Sequence, residues 1–167
     1  MTQMKKKKFR NLCLAAVLGI AGFAGHILTG YDRNAVGYLW RLITTQDESA
    51  VTGACLMVKR SVFEALHGLD ESFAVALNDI DFCLRARALG KKVIFTPDAC
   101  LYHYESKSRG FENTPEKKAR FDKEVAHFRD RHRKFLKAGD PYYNPNLSIV
   151  RGDCAFRMAS EKKDEVI

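Results

Sequence analysis

None of the five cysteines has a partner at CxxC spacing, and their number is odd. That leaves no redox or zinc pair and no even-numbered disulfide framework. Cys13, Cys55, Cys83, Cys100 and Cys154 lie mostly in apolar runs, where cysteine packs as a small hydrophobe, and this usage favours a reducing compartment. Long hydrophobic runs are also lacking. The stretch from Leu12 to Leu28 holds three glycines before His26 and is too short to span a bilayer as a helix. No internal repeat occurs. The residues before Ala50 contain neither alternating strand–helix units nor a glycine-rich phosphate turn, so a nucleotide-binding βαβ unit is not expected there.

What remains suits one folded domain. The chain has 167 residues, 46% of them apolar, enough to bury a core. Its net charge of +8 is concentrated in Lys5 to Lys8 with Arg10, and between Lys117 and Lys137. Such clusters suit nucleotides, anionic lipids or nucleic acid, or else form a solvated helix face and a basic amino terminus. The basic residues before Leu12 and the small-x-small triplet Gly22-Phe23-Ala24 also have the outline of a secretory signal.

The chain divides into a disordered basic leader over 1–16, a domain over 17–148 and a flexible tail over 149–167. Ala50 to Val58 reads as one buried strand. Ser61 and Glu64 have capping-box spacing for a short helix stopped by Gly68. A second helix runs from Ile80 to Leu89, opened by Asn78-Asp79 and closed by Gly90. Short strands are expected over Lys92 to Thr96 and Ala99 to Tyr104, then a mobile loop over Ser106 to Thr114. A long helix starts at Pro115 and runs to Ala138. Phe121, Val125, Phe128, His132 and Phe135 mark its apolar face.

The residues filling this order are specific. Val51 to Arg60 (VTGACLMVKR), Gly68-Leu69-Asp70-Glu71-Ser72-Phe73 and Asn78-Asp79-Ile80-Asp81-Phe82-Cys83-Leu84-Arg85 resemble linked motifs of the family 2 glycosyltransferases. Thr96 to Ala99 and Tyr102 to Ser106 resemble the strand and histidine that follow. Ser108-Arg109-Gly110 and Asp140 to Pro145 resemble a subgroup associated with bacterial surface polysaccharide synthesis. The resemblance implies an α/β chain forming part of a GT-A fold, a small mixed sheet with flanking helices. The nucleotide-binding βαβ half, which takes roughly 100 residues, is not expected among these residues. The likeness of Val17 to His26 to an enzyme interior speaks against a secretory signal, and for a cytoplasmic chain with a peripheral contact at the inner membrane face as an option.

The resemblance also implies chemistry. An inverting transferase needs a base for the acceptor hydroxyl and a cation for the departing diphosphate. Asp79 matches the base. Read from the residues alone, it is an N-cap aspartate that starts a helix. Asp81 falls in the first turn, as a fold support or a contact to the acceptor. Asn78 stands where the family has an acidic residue. His103 matches a ligand of a divalent Mn or Mg ion, with Glu105 behind it, and is otherwise a structural histidine. Ser108 and Arg109 would bind substrate phosphate from the loop, or Arg109 is an ordinary surface arginine. Arg85 is an ion-pair candidate. The implied partners are a sugar nucleotide, a glycan or lipid-linked acceptor, and a complementary transferase half or a second copy. Nucleic acid is not among them. Two other classes stay open: a noncatalytic module docking on a full-length transferase or anionic membrane, and a secreted cationic protein.

Overall fold

A computed structural model of the chain describes residues 15–18, 24–28, 30–32, 34–99 and 114–161, the first four by their backbone. Residues 1–14 of the leader expected over 1–16, residues 106–113 of the loop expected over Ser106 to Thr114, and all but the first residue of the strand expected over Ala99 to Tyr104 lie outside the described residues, whereas Ala15 and Ala16 belong to a strand. The architecture is mixed α/β. Strand β1 (Ala15–Leu18) pairs antiparallel with β2 (Ala24–His26) on one side and with β4 (Ala50–Val51) on the other. Strand β3 (Gln46–Asp47) pairs antiparallel with β5 (Ile94–Phe95) in a separate two-stranded sheet.

The strand expected over Ala50 to Val58 ends at Val51. Thr52 caps a single 3-10 turn, Gly53–Cys55, its hydroxyl accepting from the Ala54 amide at 3.4 Å. The Gly53 amide turns sideways to the Asp79 carboxylate at 2.6 Å, which takes that donor out of any strand ladder.

Helix α1 (Arg60–Ala65) starts before the expected capping box. Lys59 is the N-cap, so Ser61 lies inside the first turn, and Glu64 pairs with Arg60 at 2.8 Å instead. The helix ends in a left-handed pair, His67 (φ 57°) and Gly68 (φ 73°). The Phe63 ring covers Gly68 so closely that a Cβ there would lie 3.1 Å from it. Helix α2 (Asn78–Ala88) is followed by Gly90 at φ 70°. Helix α3 (Pro115–Arg131) has Pro115 in its first turn and Thr114 as cap, accepting from the Lys117 amide at 3.3 Å. The expected single helix to Ala138 breaks at His132, and α4 (Arg133–Ala138) continues beyond it.

The main core lies between β4, α2 and α3, around Val51, Phe73, Ile80, Leu84, Val125 and Phe128. Phe128 is wholly buried, while Phe121 is partly buried against the same cluster. A second cluster joins Ile27, Leu28 and Leu42 to Tyr143, Leu147 and Cys154. Residues 147–157, most of them within the tail expected over 149–167, fold back on themselves. Leu147 bridges Phe156, and Ser148 donates its amide to the Ala155 carbonyl at 2.8 Å. No helix among the described residues is long and apolar enough to cross a membrane.

Cysteine accessibility tests this packing. Cys55 is exposed, whereas Cys83 and Cys154 are buried, and burial pushes the Cys83 thiol up to about 11. Native-state alkylation at neutral pH is expected to modify Cys55 and to reach Cys83 and Cys154 only after denaturation, as read by peptide mass spectrometry.

Candidate functional site

The site begins at an unusual backbone. Leu77, directly before α2, is left-handed (φ 64°, ψ 2°), a conformation that costs a leucine roughly 1–2 kcal/mol. Its buried side chain in the main core offsets that cost. The turn brings Asn78 and Asp79 to the mouth of an open cleft of about 500 Å³. Asp79 therefore lies inside the first turn of α2 and is not its N-cap. One carboxylate oxygen accepts from the Gly53 amide at 2.6 Å, and the other from the Ile80 amide at 2.8 Å. A Cβ at position 53 would sit 3.2 Å from that of Asp79, so glycine permits the approach. The helix amino terminus favours a negative charge at this point, and each carboxylate oxygen keeps a further lone pair.

The cleft lining mixes polar groups, from Thr52, Gly53, Asn78 and Asp79, with apolar side chains that include Leu56, Val58, Phe63, Leu69 and Phe82.

Asp81 faces the other way. Its side chain has no exposed surface. One oxygen accepts from Arg85 Nε at 2.7 Å. The other meets Arg131 Nη1 at 3.0 Å and His132 Nε2 at 2.9 Å. Arg85 also donates to the Leu66 and Gly68 carbonyls at 2.7 and 3.0 Å, closing the end of α1. Arg131 reaches Asp70 at 2.5 Å, and Asp70 accepts from the amide and hydroxyl of Ser72. Phe73, at the end of this acidic loop, packs against His127 and Phe128. The structure thus brings Asp79 to the cleft and places Asp81 in a buried ion network that ties the loop to α3. Arg85 takes the structural role considered for it.

Two further buried carboxylates carried no sequence signal: Glu48 stands between Asp47 and Ser49, and Glu124 between Lys123 and Val125. Glu124, next to Val125 on α3, accepts from the Ala76 amide at 2.6 Å and holds the segment leading to Leu77. Glu48 is 1% exposed and pairs with Arg41 at 2.5 Å. Beside it, Ser49 donates to Asp140 at 2.7 Å, and Arg87 lies over the Tyr142 ring.

His103, Glu105, Ser108 and Arg109 lie outside the described residues. Among the described residues, no three His, Cys, Asp or Glu side chains come together to hold a metal ion.

The chain is related by sequence to glycosyltransferases of the surface-polysaccharide type. It is 50% identical over 138 residues to the uncharacterized protein y4gI of Sinorhizobium fredii, covering 82% of this chain and 15% of that protein. It is 36% identical over 156 residues to the O-antigen biosynthesis protein RfbC of Myxococcus xanthus, covering 90% of this chain and 12% of that one. It is 31% identical over 123 residues to the low-salt glycan biosynthesis hexosyltransferase Agl10 of Haloferax volcanii, covering 69% of this chain and 37% of the relative. The chain thus spans well under half the length of these relatives. No family model matches it. No solved structure matches it.

The buried carboxylates give the fold a two-sided pH dependence. Burial alone would raise Asp81, but bonds from His132, Arg85 and Arg131 hold it below the usual aspartate range. Its contribution is therefore complete above about pH 4 and is lost as pH falls through its folded value. Burial pushes Glu48 up to about 7 from 4.5, with Arg41 opposing and Asp140 assisting. Here the folded state binds the proton more tightly, so stability declines as pH rises from about 4.5 to about 7. Urea unfolding across pH 3 to 8 is expected to show both limbs. Glu48→Gln should flatten the upper one, whose slope is at most about 1.4 kcal/mol per pH unit. Asp81→Ala should destabilise the fold above about pH 5 and remove the lower limb, because Arg85, Arg131 and His132 lose the carboxylate they share.

Proposed function

We propose that this chain carries the acceptor-side chemistry of an inverting, GT-A-type family 2 glycosyltransferase acting in surface polysaccharide synthesis. The observation that supports it most is the Asp79 carboxylate, fixed by two backbone amides at the mouth of the cleft. In this reading an acceptor hydroxyl gives its proton to Asp79. The hydroxyl oxygen attacks the anomeric carbon of the sugar nucleotide, the new glycosidic bond forms, and the bond to the nucleoside diphosphate breaks. The leaving diphosphate takes the electron pair of that bond. A Mn²⁺ or Mg²⁺ ion would neutralise its charge, with His103 as the one ligand named in this chain.

The glycan or lipid-linked acceptor enters through the cleft, and the sugar nucleotide is held mainly by other polypeptide. Binding energy from the nucleotide is needed to place the anomeric carbon against the hydroxyl. The chain alone is therefore expected to turn over very slowly. Consumption of sugar nucleotide should rise when a complementary donor-binding half is added in trans with Mn²⁺. Asp79→Asn should then lower it by at least about a hundredfold, the scale of a lost general base. Restored turnover that survives Asp79→Asn overturns the base, and brisk turnover by the chain alone overturns the division of labour. Mn²⁺ binding, followed by its effect on water proton relaxation, should be weak and weaker still in His103→Ala. Equal binding by both removes His103 from the site.

A further inference from the structure

Helix α3 holds the start of α2 on both sides of Asp79. Ahead of Asp79, Glu124 Oε2 accepts from the Ala76 amide at 2.6 Å. Behind it, Arg131 and His132 meet Asp81 Oδ1 at 3.0 and 2.9 Å. Between these anchors the chain passes through the left-handed Leu77, whose carbonyl accepts from the Asp81 amide at 2.8 Å. That bond closes the first turn of α2, which carries Asp79. A first helical turn has few bonds of its own and frays unless something outside fixes it. Among the described residues, no other hydrogen bond ties the backbone of residues 74–76 to the rest of the fold. Glu124 is 3% exposed, and a buried carboxylate is costly unless a bond requires it. A leucine avoids the left-handed region, and such a conformation persists only where its surroundings over-determine it.

We propose that Glu124 is a positioning residue for Asp79: by holding the Ala76 amide it keeps Leu77 left-handed, and the Leu77 turn keeps the Asp79 carboxylate on the Gly53 amide at the cleft. A hydrogen bond to an ionised acceptor is of the strong kind, which suits a tether that opposes backbone strain. With the Ala76 amide released, Leu77 relaxes toward the right-handed region. Its carbonyl then swings away from the Asp81 amide, and the turn that carries Asp79 opens. Asp81 stays pinned by Arg85, Arg131 and His132, so the rest of α2 keeps its place. Glu124 touches neither the cleft nor a reacting atom and acts only through this turn. The consequence for turnover rests on Asp79 being the base, whereas the placement of Asp79 does not.

Nuclear magnetic resonance on the isotope-labelled full chain reads the Gly53 amide that Asp79 holds. Asp79→Asn sets the reference: its neutral oxygen accepts more weakly, so the Gly53 proton moves upfield. Glu124→Leu fills the space but accepts no bond. In it the Gly53 proton should move the same way, and its exchange should quicken at least about tenfold. Amides in the last turn of α2 and from Val125 to Phe128 should keep their wild-type exchange. Glu124→Gln keeps an oxygen for Ala76 and should stay near wild type. In turnover restored by a donor-binding half, Glu124→Leu should lower kcat about tenfold or more at unchanged acceptor KM. An unmoved Gly53 signal in Glu124→Leu overturns the proposal. So does loosening spread evenly over α2 and α3, which a merely structural carboxylate would give. If Glu124→Leu does not fold, the wild type decides: in low urea the Ala76 and Gly53 amides should exchange through one shared opening, and separate openings overturn the proposal. Turnover that survives Asp79→Asn overturns the base alone, because the Gly53 signal needs no turnover. Turnover lost in Asp79→Asn but undiminished in Glu124→Leu overturns the positioning.

Discussion

Asp81 has no contact with water, and a buried carboxylate without partners is among the most expensive features a fold can carry. Its cost is met only when Arg85, Arg131 and His132 arrive together, and each belongs to a different constraint. Arg85 gathers the carbonyls at the end of α1, Arg131 clasps the turn at Asp70, and His132 sits at the joint between α3 and α4. The acidic loop, the two long helices and the break between α3 and α4 are therefore one electrostatic unit. Successive helical residues are about 100° apart, so Asp79 and Asp81 diverge by roughly 200°. The same turn that sends Asp81 inward sends Asp79 to the cleft. The two carboxylates of this Asp-Ile-Asp triplet face opposite ways and do not chelate one ion between them.

The charge pattern has a different meaning in the structure from its meaning in the sequence. A net charge of +8 suggests phosphate-bearing partners. Several of the cations, however, are occupied inside the fold. Arg41 serves Glu48, Arg85 and Arg131 serve Asp81, and Arg87 donates to the Glu48 carbonyl and the Tyr142 hydroxyl. Arginine suits these places because its planar fork reaches several acceptors at once. Basic residues with buried acidic partners say little about what binds outside.

Helices α2 and α3 were legible because their apolar period, proline start and glycine stop are local signals. The short helix α1 was legible as an element but not at its start, since Glu64 had two candidate partners and chose Arg60 over Ser61. The strand from Ala50 was cut short for a tertiary reason: the Gly53 amide is claimed by a carboxylate 26 residues away. Asp79 could be singled out because its motif carries it. Glu48 and Glu124 could not, because a carboxylate beside charged or polar residues, as Asp47 and Ser49 flank Glu48 and Lys123 precedes Glu124, looks alike whether it faces solvent or a buried partner. The positions expected to meet phosphate and metal, Ser108, Arg109 and His103, lie outside the described residues.

The second cluster has a consequence for the order of events during synthesis. Ile27, Leu28 and Leu42 are buried by Tyr143, Leu147 and Cys154, and the Tyr31 hydroxyl meets the Asp153 carbonyl across 122 residues of sequence. At ribosomal rates of about 5–20 residues per second, the early members wait on the order of ten seconds for the late ones. For that interval their apolar surface stays open while β4, α2 and α3 are free to form the main core. The last cluster to close is thus made by residues 27–42 and 143–154, and its early members stay open to misassociation until residue 154 leaves the ribosome.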